Sequence, residues 1–98
     1  MQKIHYALYL NPPRLTFMQD MTDDERKIMQ QHIAYWTDYM NKGMVLAFGP
    51  VLDPQGGYGL GIIEVENEQQ MKDMIASDPA NGLNQYEYYL MKAVTPKK

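Results

Sequence analysis

A histidine and an aspartate in this chain occupy positions from which proton-transfer chemistry is feasible. His32 falls near the edge of the apolar side of a predicted helix, and Asp78 precedes Pro79 where a second predicted helix should end. A histidine titrates near neutral pH and can carry a proton. A carboxylate in the last turn of a helix opposes the helix dipole, so a local partner is expected to offset that cost. If Asp78 accepted a hydrogen bond from one ring nitrogen of His32, the other nitrogen would be free for a substrate.

Both residues also have a purely structural explanation. His32 could be a half-buried histidine bonded to a backbone carbonyl or to a tyrosine, and an aspartate before a proline commonly begins a turn. The spacing of the two residues along the chain leaves both explanations open.

Turns that follow predicted strands supply further candidates for substrate binding. They are Arg14, Gly49, Pro50 and Asp53, and each is also compatible with an ordinary turn or surface role. Gly57, Gly59 and Gly61 are two residues apart, so they lie on the same face of a predicted strand and leave it without side chains there. That pattern is typical of close packing, or of floor space for a ligand.

The composition narrows the class of protein. The 98 residues are 45% hydrophobic and fit a single domain over residues 1–98. There is no cysteine and there are two histidines, so we expect no metal site and no disulfide. The net charge of −3 gives no basic stripe for nucleic acid. Three tyrosines near the C-terminus are therefore expected in the core or in a dimer interface, not as a base-stacking surface: Tyr86, Tyr88 and Tyr89.

The hydropathy pattern predicts no association with a membrane. The longest apolar stretch runs only from Met44 to Phe48, far too short for a signal segment or a membrane span. We expect a cytoplasmic protein.

Two helices are predicted to position the candidate pair. Thr22 and Glu25 have the spacing of a capping box, and Gly43 is a typical residue just past a helix end, so the first helix should run over about Asp23–Lys42. Its core stripe is predicted as Met29, Ile33, Trp36 and Met40, with His32 about 60° from the centre at about 100° per residue. A weaker cap at Asn67 begins the second helix, which Pro79 must stop.

Strands fill most of the remaining chain. Runs that alternate from side to side, or that are rich in strand-forming residues, predict strands at Lys3–Leu10, Met44–Gly49, Gly59–Glu66 and Tyr86–Val94. The middle two are predicted to form a hairpin. Arg14–Met21 should be an irregular connection, and Thr95–Lys98 a frayed polar tail.

The order of elements predicts an α+β fold. The sequence β-α-β-β-α-β is typical of the ferredoxin-like plan, with both helices on one face of a four-stranded antiparallel sheet. The first and last strands are apolar or aromatic on both sides, whereas a sheet with one wet face should alternate. A second copy of the chain is the simplest cover, so we expect a homodimer through the sheet faces.

An ordered set of motifs resembles the YCII-related family. The set comprises Tyr9-Leu10-Asn11-Pro12-Pro13-Arg14, His32, Gly43, Gly49-Pro50-Val51-Leu52-Asp53-Pro54 and Asp78-Pro79. The resemblance implies a dimeric α+β barrel in which His32 and Asp78 form the active-site pair. The family is similar to muconolactone-isomerase-type barrels, and at least one relative is linked to dehydrochlorination of a chlorinated hydroxyquinol.

These observations lead to one functional hypothesis and two alternatives. We expect His32, oriented by Asp78, to act as a general acid/base on a small cyclic or aromatic ligand, in an elimination or isomerisation without a cofactor. The first alternative is a non-catalytic module that binds a small molecule or a partner. The second is a monooxygenase, cofactor-free or haem-linked, on the same barrel.

Overall fold

The computed structural model describes residues 3–96, which form four strands and three helices. In chain order these are β1 (Ile4–Asn11), α1 (Phe17–Asp20), α2 (Asp23–Asn41), β2 (Val45–Val51), β3 (Tyr58–Val65), α3 (Glu68–Ala76) and β4 (Gln85–Met91).

The four strands form one sheet in the order β2-β3-β1-β4, and every neighbouring pair is antiparallel. The predicted α+β class with a four-stranded antiparallel sheet is therefore confirmed, as is the hairpin of β2 and β3. In the register of the sheet, Gly61 lies between Leu8 of β1 and Phe48 of β2, and Gly59 lies opposite Leu10. The side-chain-free positions of β3 are thus flanked by large apolar residues.

The local signals at the two ends of α2 are confirmed. The hydroxyl of Thr22 accepts a hydrogen bond of 3.1 Å from the amide of Glu25, whose carboxylate accepts one of 2.9 Å from the amide of Thr22. At the other end Gly43 has a φ of +83°, which glycine adopts without steric cost. The helix ends at Asn41, one residue before the predicted end.

The segment Arg14–Met21 contains a short helix that the sequence did not predict. Phe17 is buried and anchors α1, and the hydroxyl of Thr16 donates to the carboxylate of Asp20. A helix of four residues is about one turn, too short for an amphipathic period to show in a sequence.

The last strand is shorter than predicted. β4 ends at Met91, not Val94, because Met91 pairs with His5 and β1 provides only Ile4 beyond it. Of the predicted polar tail, Thr95 and Pro96 have no regular secondary structure, and Lys97 and Lys98 lie outside the described residues.

The two longer helices, α2 and α3, pack on the same face of the sheet. Trp36 of α2 and Met71 and Met74 of α3 join the same core cluster as alternate residues of β1 and β3. The strand members of that cluster are Tyr6, Leu8, Leu10, Val45, Ile63 and Val65.

The opposite face of the sheet carries a group of aromatic and apolar side chains beside the His5–Glu64 pair. Tyr9 stacks on Tyr58 with ring centroids 5.9 Å apart and meets Tyr89 edge-on at the same distance. Ala7 and Ile62 lie opposite each other on this face and are half-buried, while Tyr89 is 56% exposed. We call the set Ala7, Tyr9, Tyr58, Ile62 and Tyr89 the outer face.

None of the helices within residues 3–96 has both the length and the hydrophobicity that spanning a bilayer requires.

Candidate active site

His32 is a buried residue of α2, not an edge residue. It is 7% exposed, and Trp36 one turn later is 2% exposed. Of the predicted core stripe, Trp36 is confirmed as buried, whereas Ile33 is 52% exposed, so the prediction is wrong for Ile33. A histidine can be buried at small cost where a polar partner satisfies its ring nitrogen.

That partner is Asp78. Nδ1 of His32 lies 2.8 Å from Oδ2 and 3.0 Å from Oδ1 of Asp78, whose side chain has no exposed surface. The predicted contact between the two residues is therefore present. Because Nδ1 is engaged by the carboxylate, Nε2 is the ring nitrogen left for a ligand.

Three further groups donate to the same carboxylate. The indole N–H of Trp36 lies 2.7 Å from Oδ2, the hydroxyl of Tyr86 2.6 Å from Oδ2, and the amide of Ala80 2.9 Å from Oδ1. Burial alone would raise the pKa of Asp78, but the hydrogen bonds from His32, Tyr86, Ala80 and Trp36 together bring its pKa below the ordinary value. The carboxylate is thus held ionised, and as an acceptor it fixes the proton of His32 on Nδ1.

Asp78 lies beyond the helix that was predicted to contain it. α3 ends at Ala76 with Ser77 as its cap, and the chain then turns, with the amide of Asn81 donating to the carbonyl of Asp78. The expected local compensation for the carboxylate is present as the four donors. The hydroxyl of Tyr35 donates to the carbonyl of Met74 at 2.6 Å and ties α2 to the last turn of α3, next to the pair.

His32 lines a cavity of about 340 Å³ between α1, α2 and the sheet. The volume lies in the range of small-molecule sites, about 300–1,000 Å³. Its walls are mostly hydrocarbon and include Leu8, Leu10, Phe17, Met18, Met21, Met29, Ile33, Trp36, Phe48 and Ile63. The cavity suits a small, largely apolar molecule.

Two glycines of β3 form part of the cavity floor. A Cβ added to Gly61 would lie 3.3 Å from Cδ1 of Ile63, and one added to Gly59 would lie 3.0 Å from Cβ of Leu10. Both explanations of the glycine pattern therefore apply: Gly59 allows close packing against β1, and both residues leave room above the sheet.

Of the four other predicted binding residues, two line the cavity and two do not. Gly49 and Pro50 line it. Asp53 is exposed in the turn after β2, where its carboxylate accepts from the amide of Gln55. Arg14 lies in a separate hollow beside the Pro-Pro loop. A role in substrate binding stays a prediction for all four.

Arg14 is held by two carboxylates. Its guanidinium donates to Glu25 through two nitrogens, at 2.9 and 2.8 Å, and to Asp20 at 2.8 Å. The hydrogen bond from Arg14 and that from the amide of Thr22 lower the pKa of Glu25 to about 2. Arg14 thus links α1 to the cap of α2. These contacts are those of a residue that stabilises the fold.

Sequence reasoning missed three residues of this site. Trp36 and Tyr86 were assigned to packing, yet both donate to Asp78; the i, i+4 spacing of His32 and Trp36 was the signal that could have linked them. Asn84 is 5% exposed and lines the cavity, and no pattern in the sequence points to it.

Within residues 3–96, no three His, Asp or Glu side chains meet in a cluster that could hold a metal ion.

A family model matches most of the chain. No curated protein matches the chain. The YCII-related domain matches residues 6–95, which include the buried pair, the cavity and all four strands but for the first residues of β1. The chain therefore belongs to the YCII-related domain family.

Proposed function

We propose that this protein is a cofactor-independent enzyme in which His32 is the general acid/base and Asp78 orients it. The substrate is a small cyclic or aromatic organic molecule, and the reaction is an elimination or an isomerisation. The observation that carries the proposal is the buried hydrogen bond from Nδ1 of His32 to an ionised Asp78, with the ring in the wall of a largely apolar cavity.

The chemistry follows from the state of the ring. With its proton on Nδ1, the neutral imidazole has a lone pair on Nε2 that can remove a proton from an activated C–H bond. In an elimination, the C–H electron pair forms the new double bond as a leaving group such as halide departs. In an isomerisation, the same proton returns from Nε2 to a different carbon.

Asp78 stabilises the imidazolium formed in either reaction. A placed general base contributes about 10²- to 10⁴-fold in rate, which is sufficient for an activated substrate. The apolar walls strengthen the interaction because water is excluded from the reacting groups.

The quaternary structure is part of the proposal. We propose a ferredoxin-like, dimeric α+β barrel that acts in the cytoplasm. The barrel is supported by the strand order β2-β3-β1-β4, by the placement of α2 and α3 on one face, and by the aromatic outer face. Two copies that pair through their outer faces would bury the aromatic side chains there.

The experiment compares His32→Gln and Asp78→Asn with wild type against a panel of catechol-derived lactones and halogenated hydroxyquinols. Both variants should lower kcat by about 10²- to 10⁴-fold while binding of the turned-over compound, measured by calorimetry, changes little. The matched control is His5→Gln, since His5 is the second histidine and pairs with Glu64 on the other side of the sheet. It should leave kcat unchanged.

Two results would contradict the proposal. Turnover that persists in His32→Gln would remove His32 from the chemistry. Tight binding of panel compounds by the wild type without turnover of any of them would identify a non-catalytic binding module.

A further inference from the structure

The side chain of Asn84 is buried without an adequate hydrogen-bond partner. It is 5% exposed, and its Oδ1 is the one buried side-chain oxygen or nitrogen within residues 3–96 that has no partner. Its Nδ2 donates to the sulfur of Met29 at 3.5 Å. A thioether sulfur is a weak acceptor, so both ends of the amide are poorly satisfied.

The fold itself does not explain a carboxamide at this position. Nearly all buried polar groups in native proteins are paired, and an unpaired one calls for a specific reason. The backbone of Asn84 is already held, because its amide donates to the carbonyl of Ala80 at 3.1 Å. A leucine would fill a similar volume without leaving an unsatisfied oxygen.

The location of the side chain supplies the reason. Asn84 and Met29 both line the cavity that contains His32, and Met29 precedes His32 by one turn of α2. The other polar side chains there are His32, which is assigned to the proton transfer, Trp36, whose indole N–H is engaged by Asp78, and Tyr58, whose ring stacks on Tyr9. Asn84 is thus a polar group with free capacity in a wall made mostly of hydrocarbon.

The geometry also ties Asn84 to the catalytic pair. Residues 78–84 form one tight loop in which Ala80 donates to the carboxylate of Asp78 and accepts from the amide of Asn84. The loop therefore sets the positions of the carboxylate bonded to His32 and of the Asn84 side chain in the wall of the same cavity.

We propose that Asn84 is a substrate-binding residue that recognises a hydroxyl group on the ring of the ligand. A hydroxyl both donates and accepts, so it can pair with Oδ1, with Nδ2, or with both. Rotation about the last side-chain torsion of asparagine is soft, so the amide can leave the Met29 sulfur and turn toward a ligand. This inference rests on the proposed function, because it places the hydroxyl-bearing ring beside His32.

The test uses two probes of nearly equal shape, 4-methylphenol and 1,4-dimethylbenzene, which differ by a hydroxyl in place of a methyl group. Wild type should bind the phenol about tenfold more tightly, the gain expected of one satisfied hydrogen bond. Asn84→Leu should lose this preference and bind the hydrocarbon at least as well as wild type does. Asn41→Leu, at an exposed asparagine, is the matched control and should retain the preference.

A second measurement does not depend on a variant. In NMR titrations of wild type, the side-chain amide of Asn84 and the methyl group of Met29 should both shift with 4-methylphenol, and the amide should shift far less with 1,4-dimethylbenzene. Equal affinity of wild type for the two probes, or an unchanged preference in Asn84→Leu, would overturn the inference.

The proposed function and this inference fail separately. His32→Gln should keep the preference for the phenol, because binding does not need proton transfer. A His32-dependent turnover without any hydroxyl preference would refute the role of Asn84 alone, whereas a hydroxyl preference without turnover would refute the catalysis alone.

Discussion

Asp78 carries its charge in the interior with four donors around it and no side-chain exposure. Such a group is costly if any of its partners is removed, since the remaining polar atoms stay buried. The carboxylate that holds His32 in place therefore also connects α2, the loop after α3 and the start of β4, through Trp36, Ala80 and Tyr86. The packing of this region therefore depends on one carboxylate.

Removal of the carboxylate should strongly destabilise the protein. Asp78→Ala is expected to lower the free energy of unfolding at neutral pH by about 3–5 kcal/mol, because it leaves the indole N–H, the tyrosine hydroxyl and the imidazole without an acceptor. Urea denaturation measures the change. Asp38→Ala, at a side chain that is 73% exposed, is the control and should change the free energy by less than about 0.5 kcal/mol. Similar losses in the two variants would contradict this account.

Acid should remove the same stabilisation. The pKa of Asp78 is lowered in the folded protein, so its contribution is complete above the unfolded-state value of about 3.9 and is lost as the pH falls through the lower folded value. We expect the free energy of unfolding of wild type to fall more steeply below about pH 4 than that of Asp78→Asn. Parallel curves for the two proteins would be evidence against a buried, ionised Asp78.

The N-terminus of α2 is the part of the fold that follows most directly from the local sequence. Thr22 and Glu25 cap each other, and Arg14 binds the outer side of Glu25 and connects the cap to α1. The cap thus fixes where α2 begins.

Loss of the cap should have a moderate effect on stability. Thr22→Ala is expected to lower the free energy of unfolding by about 1 kcal/mol, since the amide of Glu25 loses its acceptor. Thermal or urea unfolding followed by circular dichroism measures it. Gln30→Ala, an exposed site within the same helix, is the comparison and should be neutral or slightly stabilising. If both variants lost the same stability, the hydroxyl of Thr22 would not be the cap.

The ends of α2 could be predicted from the sequence, whereas its buried face could be predicted only in part. The bounds of α2 are encoded by Thr22, Glu25 and Gly43, which act on neighbouring residues. The buried face of the helix is set by groups distant in the chain, so Ile33 was assigned to the core although it is exposed. The pair His32 and Asp78 could be predicted because a carboxylate near a helix C-terminus calls for a partner and a histidine at the edge of an apolar stripe can supply one. Asn84 was not, because its only side-chain partner is 55 residues away.

At the scale of the whole molecule, the sheet has one face covered by helices and one that is not. The outer face includes a cluster of three tyrosine rings, and apolar patches of this kind commonly mark an interface. A homodimer through this face is the prediction that follows.

Sedimentation equilibrium should give a mass twice the 11.4 kDa of the chain for wild type. Ile62→Glu, which places a charge in the outer face, should give the mass of a single chain, because an unpaired buried charge is not tolerated in an interface. Leu52→Glu, at a side chain that is 80% exposed in the turn after β2, should remain dimeric. A wild type that sediments as a single chain would refute the dimer.

The cavity wall contains three methionines, Met18, Met21 and Met29, so part of it can adapt its shape. Unbranched thioether chains change rotamer readily and adapt to irregular shapes. Under the proposed function, rings that differ in size or in halogen pattern should bind with similar affinity. Turnover should then select among the rings that bind by the acidity of the C–H bond that each presents to His32.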